Sequence, residues 1–382
     1  MKTQTHILLI DPIPFLGGSK IACQHMLEQI DASSTTITVL TNDQASWKDT
    51  GYNTISLYRP RWLPKTDHGI GYFLRQFITA LNILFVRLFT GKIDTLLGAS
   101  GPGVDLSIHI VKQLLDVRTV QIVNGPVSHS KALGWALSSA DQVFFLASIY
   151  EDIVNAITKA GKSPDIVASP RFKSISNGIP RAQWPSDCQT SKPVLFWAAS
   201  LVKWKGLETL FDALELFSDS DRPETHICYI RPQNTDIEAS EINRHIAHVS
   251  CHEKPANLDQ IRAGCNIFVS TSKNEPFGIS ILEAMAAGHC IVIPADAAYW
   301  DQQLTNGVDC IKYAPGDHKD LARKLDQLCC DMDQVMQLGS NAQRIAAEFR
   351  AEHVYRPVAE SLIPSKNSRT DLSYDRGNPY DI

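Results

Sequence analysis

Residues 273–288 read KNEPFGISILEAMAAG, and the fold turns on how this stretch is read. Glu275 and Glu283 stand eight positions apart, separated by Pro276, Gly278 and an apolar run. Pro276 and Gly278 mark a loop, and Ile279 to Ala287 then predicts a helix. One carboxylate is thus expected in a loop just before a helix N-terminus, the other about one turn inside that helix. A helix N-terminus offers unpaired N–H groups and a positive dipole end, which suit a phosphate or a sugar hydroxyl. Carboxylates accept paired hydrogen bonds from diols, so two of them beside an anion site suit a phosphorylated sugar. The plainer alternative is an ordinary loop-to-helix start whose glutamates favour the dipole.

The surrounding sequence alternates strand-like and helical runs. Strand-like runs cover 6–11, 36–40, 94–100, 118–125 and 140–148 in the first half, and 192–200, 225–230, 266–272 and 290–295 in the second. This alternation predicts parallel α/β sheets. Residues 170–193 contain four prolines and several polar residues and read as a connection between two Rossmann-like domains. The 382 residues are 44% apolar and 20% charged, as in a globular protein, and the net charge of −5 argues against nucleic-acid binding. Nine scattered cysteines without a C-x-x-C pair predict neither a zinc knuckle nor a disulfide framework, and point to a reduced cytosol. The first apolar run ends at Asp11 and reads as a strand rather than a signal peptide. No run of 18 uncharged apolar residues is present, so no transmembrane helix is expected.

The string EPFGISILEAMAAG, preceded by the strand-like NIFVSTS, resembles the E-x7-E motif of retaining glycosyltransferases with the GT-B architecture, of the family-4 type. The resemblance covers residues 177–322 closely and the first half more loosely. It implies an α/β fold of two Rossmann-like domains facing across a cleft, with a C-terminal helix crossing back to the N-terminal domain. In these terms residues 1–175 form the acceptor domain, 176–340 the donor-binding domain and 341–362 the crossing helix. Pro357 is expected to kink or interrupt that helix. Residues 363–382, polar with Gly and Pro, are expected to be a disordered tail. The implied reaction moves a sugar from a nucleotide-diphosphate donor to a hydroxyl acceptor with retention, in cell-surface polysaccharide or glycolipid synthesis. The implied partners are a nucleotide sugar and a sugar or lipid-linked acceptor, with no nucleic acid, no cofactor and no metal.

The resemblance assigns Glu275 to the donor sugar at the catalytic centre and Glu283 to the ribose. The backbone of Phe277, Gly278 and Ile279 would assist through the helix end. In residues 200–206, SLVKWKG, Lys205 and Gly206 match the end of the family's G-R-L-x-x-x-K-G pattern and are expected to hold the diphosphate. The chain departs from that pattern at Ala199 and at Ser200, which stands where the family has Arg. A departing diphosphate needs positive charge, and Lys203 or Arg231 could supply it. Gly17 and Gly18, between the first strand and a helix, could let backbone approach the donor. A second departure places Ala297 and Ala298 where the family has Gly-Gly, with Asp301 a candidate for the displaced carboxylate. In the N-terminal half Asn124 occupies the family's His position, and His129 lies five residues further on. Asn124 can hydrogen-bond a sugar as a neutral group; His129 could equally be an exposed loop residue. Ser100, Gly101 and Gly103 end a strand on the crevice side and are candidate acceptor-site backbone. Asp219–Asp221 and Asp331–Asp333 spell D-x-D but follow no apolar strand, and read as solvated acids.

Residues 72–90, YFLRQFITALNILFVRLFT, carry one more signal. At helical spacing Arg75, Gln76, Thr79, Asn82, Arg87 and Thr90 share one arc, and Leu74, Phe77, Ile78, Leu81, Leu84, Phe85, Leu88 and Phe89 fill the other. With Arg59, Arg61, Trp62, Lys65 and Lys92 in its flanks, this segment reads either as a basic amphipathic helix on an anionic membrane or as a core helix. The first reading places the protein peripherally on the inner face of the membrane. Other function classes stay open: a non-catalytic nucleotide-sugar-binding scaffold, or another GT-B enzyme such as an epimerase or phosphorylase.

Overall fold

The computed structural model describes residues 4–60, 62–63, 68–232 and 238–363. Apart from Ile363, the expected tail lies outside the described residues, as do Arg61 and Lys65. Seven strands form the first sheet: β1 (Thr5–Asp11), β2 (Thr35–Thr41), β3 (Asn53–Ser56), β4 (Thr95–Gly98), β5 (Arg118–Val123), β6 (Gln142–Leu146) and β7 (Phe172–Ile175). Six form the second: β8 (Val194–Ser200), β9 (Glu224–Ile230), β10 (Val249–Glu253), β11 (Ile267–Val269), β12 (Cys290–Pro294) and β13 (Ile311–Tyr313). The orders are 3-2-1-4-5-6-7 and 10-9-8-11-12-13, and every pairing is parallel.

Helices cover both faces of each sheet, so the central strands are apolar almost throughout. Ile7, Leu8, Leu9 and Ile10 of β1 are all buried, as are Cys290 to Ile293 of β12. The strands not foreseen from sequence are β3, β7, β10 and β13. They are short, and β3 and β10 are edge strands whose residues stay largely half-buried or exposed, so they lack a continuous apolar run.

The C-terminal stretch expected as one helix over 341–362 is divided. The Met332–Ala346 helix packs on the second sheet through Val335, Leu338 and Ala342. The chain turns at Arg350, whose extended backbone ends the helical run and whose guanidinium stacks 3.3 Å over Trp184. Two short helices follow, Ala351–Val354 and Arg356–Leu362. Tyr355, Val358, Ala359 and Leu362 then bury against Ile7, Leu9 and Met26 of the first domain. Pro357 sits in the first turn of the last helix, where a missing N–H costs nothing. It begins a helix rather than interrupting one; the break lies at Arg350.

His289, fully buried ahead of β12, carries a consequence for stability. Its Nε2–H donates to the Arg262 carbonyl at 3.0 Å, while Nδ1 has no partner among the described residues. Burial pushes its pKa down to about 3. The unfolded chain takes up a proton near pH 6.5 that the folded chain refuses until near pH 3, so stability falls as pH drops between those values. His109, buried and held to about 4, acts in the same direction. Asp105, raised to about 7 by burial, acts in the opposite one. Thermal melts of His289→Phe against the parent should show the acid loss reduced by on the order of 2 kcal/mol at pH 5. Parallel pH profiles for the two proteins would refute the assignment.

Candidate active site

Each strand order reverses once, between β1 and β4 in the first sheet and between β8 and β11 in the second. Loops leaving the carboxyl ends of neighbouring strands diverge at such a point and open a crevice. Several of the residues singled out from sequence lie at these two places. Gly17 and Gly18 follow β1 and Ser100 to Gly103 follow β4, while Lys205 follows β8 and Glu275 follows β11. The crevices adjoin, because the Ser148 hydroxyl just after β6 donates to the Pro276 carbonyl at 2.7 Å. A second bridge joins the Ser176 and Tyr299 hydroxyls at 3.2 Å.

In the second domain, the loops after β8 and β11 are tied backbone to backbone. Thr271 Oγ1 donates to the Lys205 carbonyl at 2.8 Å and accepts from Trp197 Nε1 at 3.0 Å; the Lys273 N–H donates to the Trp204 carbonyl at 2.9 Å. Gly206 turns the chain into the Leu207–Leu214 helix with φ 69°, and a Cβ there would lie 2.3 Å from the Thr271 oxygen. This closeness brings the Lys205 ammonium onto the Glu275 carboxylate, in a pair whose side chains are each about 13% exposed. The same ammonium stands 4.1 Å over the Trp204 ring. Asn274 is held at φ 49° by its N–H donating to Asp296 Oδ2 at 2.8 Å. Gly278, at φ 78°, starts the Ile279–Ala286 helix, whose first N–H groups have no partner within the helix. The Phe277 side chain belongs to an aromatic core with Tyr299, Trp300 and Phe349, so only its backbone is available to a ligand.

Glu283 stands apart from Lys205 and Glu275. Arg262 donates to its Oε2 at 2.9 Å and to Asp259 at 2.8 Å. Among the described residues the other Glu283 oxygen has no hydrogen bond. Neither cation named as a replacement for the missing arginine contacts the Lys205–Glu275 pair. Lys203 reaches Glu208 at 2.9 Å, and Arg231 lies 3.6 Å from Glu253 and over the Tyr229 ring. Asp301 is likewise engaged, with Lys312 at 2.7 Å and with the Ala297 N–H. Ala297 adopts φ 61°, so the chain keeps a glycine-like backbone where the family has Gly, at a cost of about 1 kcal/mol.

In the first domain, Gly17 is extended and caps the Gly18–Leu27 helix; Gly18 is exposed, with open space where a Cβ would project. Neither glycine is required by the backbone. Asn124 directly follows β5, with both amide atoms buried and without a partner among the described residues. Asp105 holds the loop after β4 by accepting from the Ser100 N–H at 2.8 Å and from Gln121 Nε2 at 2.9 Å. His129 is half exposed and engages Asp152 at 3.1 Å, as a surface residue does. The D-x-D acids have local roles: Asp219 pairs with Arg222, and Asp331 caps the Met332–Ala346 helix. Among the described residues no cluster of three or more His, Cys, Asp or Glu could hold a metal ion.

Arg262, Asp105 and Ser148 were not foreseen in the site. Each lies far in sequence from the residue it serves, and nothing in its own neighbourhood marks it. Trp204, between Lys203 and Lys205, was visible in SLVKWKG.

Residues 179–345 match the family Glycosyl transferases group 1. Over 160 residues, 41% of each chain, the protein is 25% identical to the N,N'-diacetylbacillosaminyl-diphospho-undecaprenol alpha-1,3-N-acetylgalactosaminyltransferase of Campylobacter jejuni. Among solved structures it resembles Anabaena Alr3699/HepE in complex with UDP and glucose, with TM-score 0.70, 18% identity and coverage of 93% of this chain and 98% of that one. It also resembles the sucrose-phosphate synthase of Thermosynechococcus elongatus, with TM-score 0.69, 16% identity and coverage of 94% and 98%. The second domain matches a group 1 glycosyl transferase domain, and the whole chain has the GT-B fold.

Proposed function

We propose that the protein transfers a sugar from a nucleotide-diphosphate donor to a hydroxyl acceptor, with retention at the anomeric carbon. The observation that carries this reading is the Lys205–Glu275 pair at the topological switch point of the second domain. A diphosphate is a better partner for Lys205 than one carboxylate, since it brings more charge and more acceptor oxygens. Its arrival would free Glu275 to accept hydrogen bonds from the sugar hydroxyls. The start of the Ile279–Ala286 helix would share the phosphate charge, and Glu283 would take the ribose diol through its open oxygen. Asn124, with a buried and unpartnered amide, would meet the sugar from the opposite domain. As the anomeric C–O bond to the diphosphate breaks, the new bond to the acceptor oxygen forms on the same face. The acceptor proton passes to the leaving diphosphate. Closure of the cleft would exclude water from this step.

The UDP and glucose named in the Anabaena complex make uridine nucleotides the first donors to try. The lipid-linked substrate named for the Campylobacter protein favours an acceptor of that class, in cell-surface polysaccharide or glycolipid synthesis. All nine cysteines are unpaired, which fits a reducing cytoplasmic setting. A thermal-shift screen over nucleotide-diphosphate sugars tests the reading, since a ligand of the folded state raises Tm by mass action. One donor should stabilise the parent, and Glu283→Ala should weaken its binding about tenfold, the cost of a lost charge-assisted bond. A protein indifferent to every such donor would contradict the proposal. Ser200 favours a second reading, a non-catalytic nucleotide-sugar-binding protein, because Lys203 and Arg231 are engaged elsewhere. Donor binding without transfer to any acceptor would select it.

A further inference from the structure

We propose that the outward face of the Gly69–Thr90 helix lies in the plane of an anionic lipid bilayer and brings the acceptor-side loop to the membrane. The structure turns this helix the opposite way from a core helix. Its polar residues Gln76 and Thr79 are buried with Tyr72, Ala80, Ile83 and Val86. The large apolar residues face out: Ile70, Leu88 and Phe89 are 88%, 80% and 74% exposed, and Phe77, Leu81 and Phe85 about half. Tyr58, whose N–H donates to Asn82 of the helix at 2.9 Å, is exposed, as is Trp62 in the segment before the helix, side chains suited to the headgroup level. A continuous apolar stripe of this kind is more than a soluble monomer ordinarily leaves in water.

Length and composition would let these 22 residues cross a membrane, but their attachment argues for lying on it. Ala80, Ile83 and Val86 pack into the core with Leu8, Ile10 and Leu96, and a crossing would strip that core open. Charge selects the occupant. In sequence, residues 51–94 carry six Lys or Arg against two Asp, with Lys92 paired to Asp94 at 2.6 Å, within a chain of net charge −5. Anionic headgroups complement this segment. A second copy would set this cation-rich segment against its own like in a two-fold pairing. The face is also coupled to the cleft. Tyr72 Oη donates to the Gly103 carbonyl at 2.7 Å, Gln76 Nε2 donates to the Gly103 and Val104 carbonyls at 3.3 and 3.2 Å, and Gln76 Oε1 accepts from the Ser107 N–H. The helix that would meet lipid therefore carries the loop at the first domain's switch point. Resting on the glycosyltransferase reading, this makes the acceptor a membrane-anchored one.

The test is flotation of the full chain with phosphatidylglycerol-containing vesicles, with pure phosphatidylcholine vesicles, and without lipid. Binding to the anionic vesicles is expected, weakening as salt rises. The double substitution Phe85→Gln, Leu88→Gln should reduce that binding about tenfold or more while leaving the thermal melt and the donor-induced shift unchanged. No flotation with anionic vesicles, or equal flotation of the variant, overturns the proposal. So does a lipid-free dimer that the variant abolishes, which would assign the face to a second copy. A parent chain that fails to float yet keeps its donor shift refutes only the lipid surface; a parent chain that floats without any donor shift refutes only the reading of the cleft.

Discussion

Lys205→Ala and Glu275→Gln are each expected to lower kcat/KM for sugar transfer by about 100- to 1,000-fold, the range seen when one preorganised charge partner of a transition state is removed. Each change also leaves its partner without the ion pair in a nearly closed site, so each single variant should lose stability, by about 1–3 kcal/mol. Two effects are thus superimposed, and a single variant does not separate them. The double variant does. With both charges gone the unpaired-charge cost disappears, and stability should return most of the way to that of the parent. Activity should not return, because the diphosphate has lost its cation and the sugar its carboxylate. Transfer kinetics and denaturant unfolding on the three variants and the parent measure both. A double variant that regains activity together with stability would make the pair a structural brace. Single variants within about threefold of the parent would remove it from the chemistry altogether.

This pair also marks how far the sequence could be read. The string around Glu275 announced a loop-to-helix transition because Pro276 and Gly278 are strong local punctuation, and the helix runs Ile279–Ala286. Apolar runs announced the central strands, since burial on both faces demands them. The edge strands β3 and β10 had no such demand and left no pattern. The helix at 69–90 was legible as two arcs but not in its orientation. An arc does not say which side the core is on, and here the protein takes the polar one. Partnerships were the least legible. That Arg262 holds Glu283, and that Asp105 holds the loop after β4, follows from chain segments meeting across the fold rather than from local spacing. Ser200 stands where the resembled pattern has Arg, and the structure adds that the neighbouring cations Lys203 and Arg231 are already engaged.

Gly206→Ala should be the most damaging single methyl in the site, with a loss of about 2–4 kcal/mol in stability and a donor affinity reduced at least tenfold. Two costs add. The residue has φ 69°, a conformation that charges any L side chain about 1 kcal/mol. The new methyl would also stand 2.3 Å from the Thr271 carbonyl oxygen, which is backbone and has no flexible end to swing aside. Relief requires the loops after β8 and β11 to part. That movement breaks the bond from Thr271 Oγ1 to the Lys205 carbonyl and withdraws the ammonium from Glu275. Gly18→Ala is the counterpart. Gly18 is exposed, outside the left-handed region, with nothing within 4 Å of an added Cβ, so its stability should stay within about 0.5 kcal/mol of the parent. If backbone at Gly18 approaches the donor, the variant will still show a raised donor KM at unchanged stability. Unfolding curves and donor titrations of the two variants therefore separate a glycine demanded by the backbone from one demanded by the ligand. A Gly206→Ala protein as stable as the parent would mean that the two loops are not locked together, and the placement of Lys205 would then need another cause.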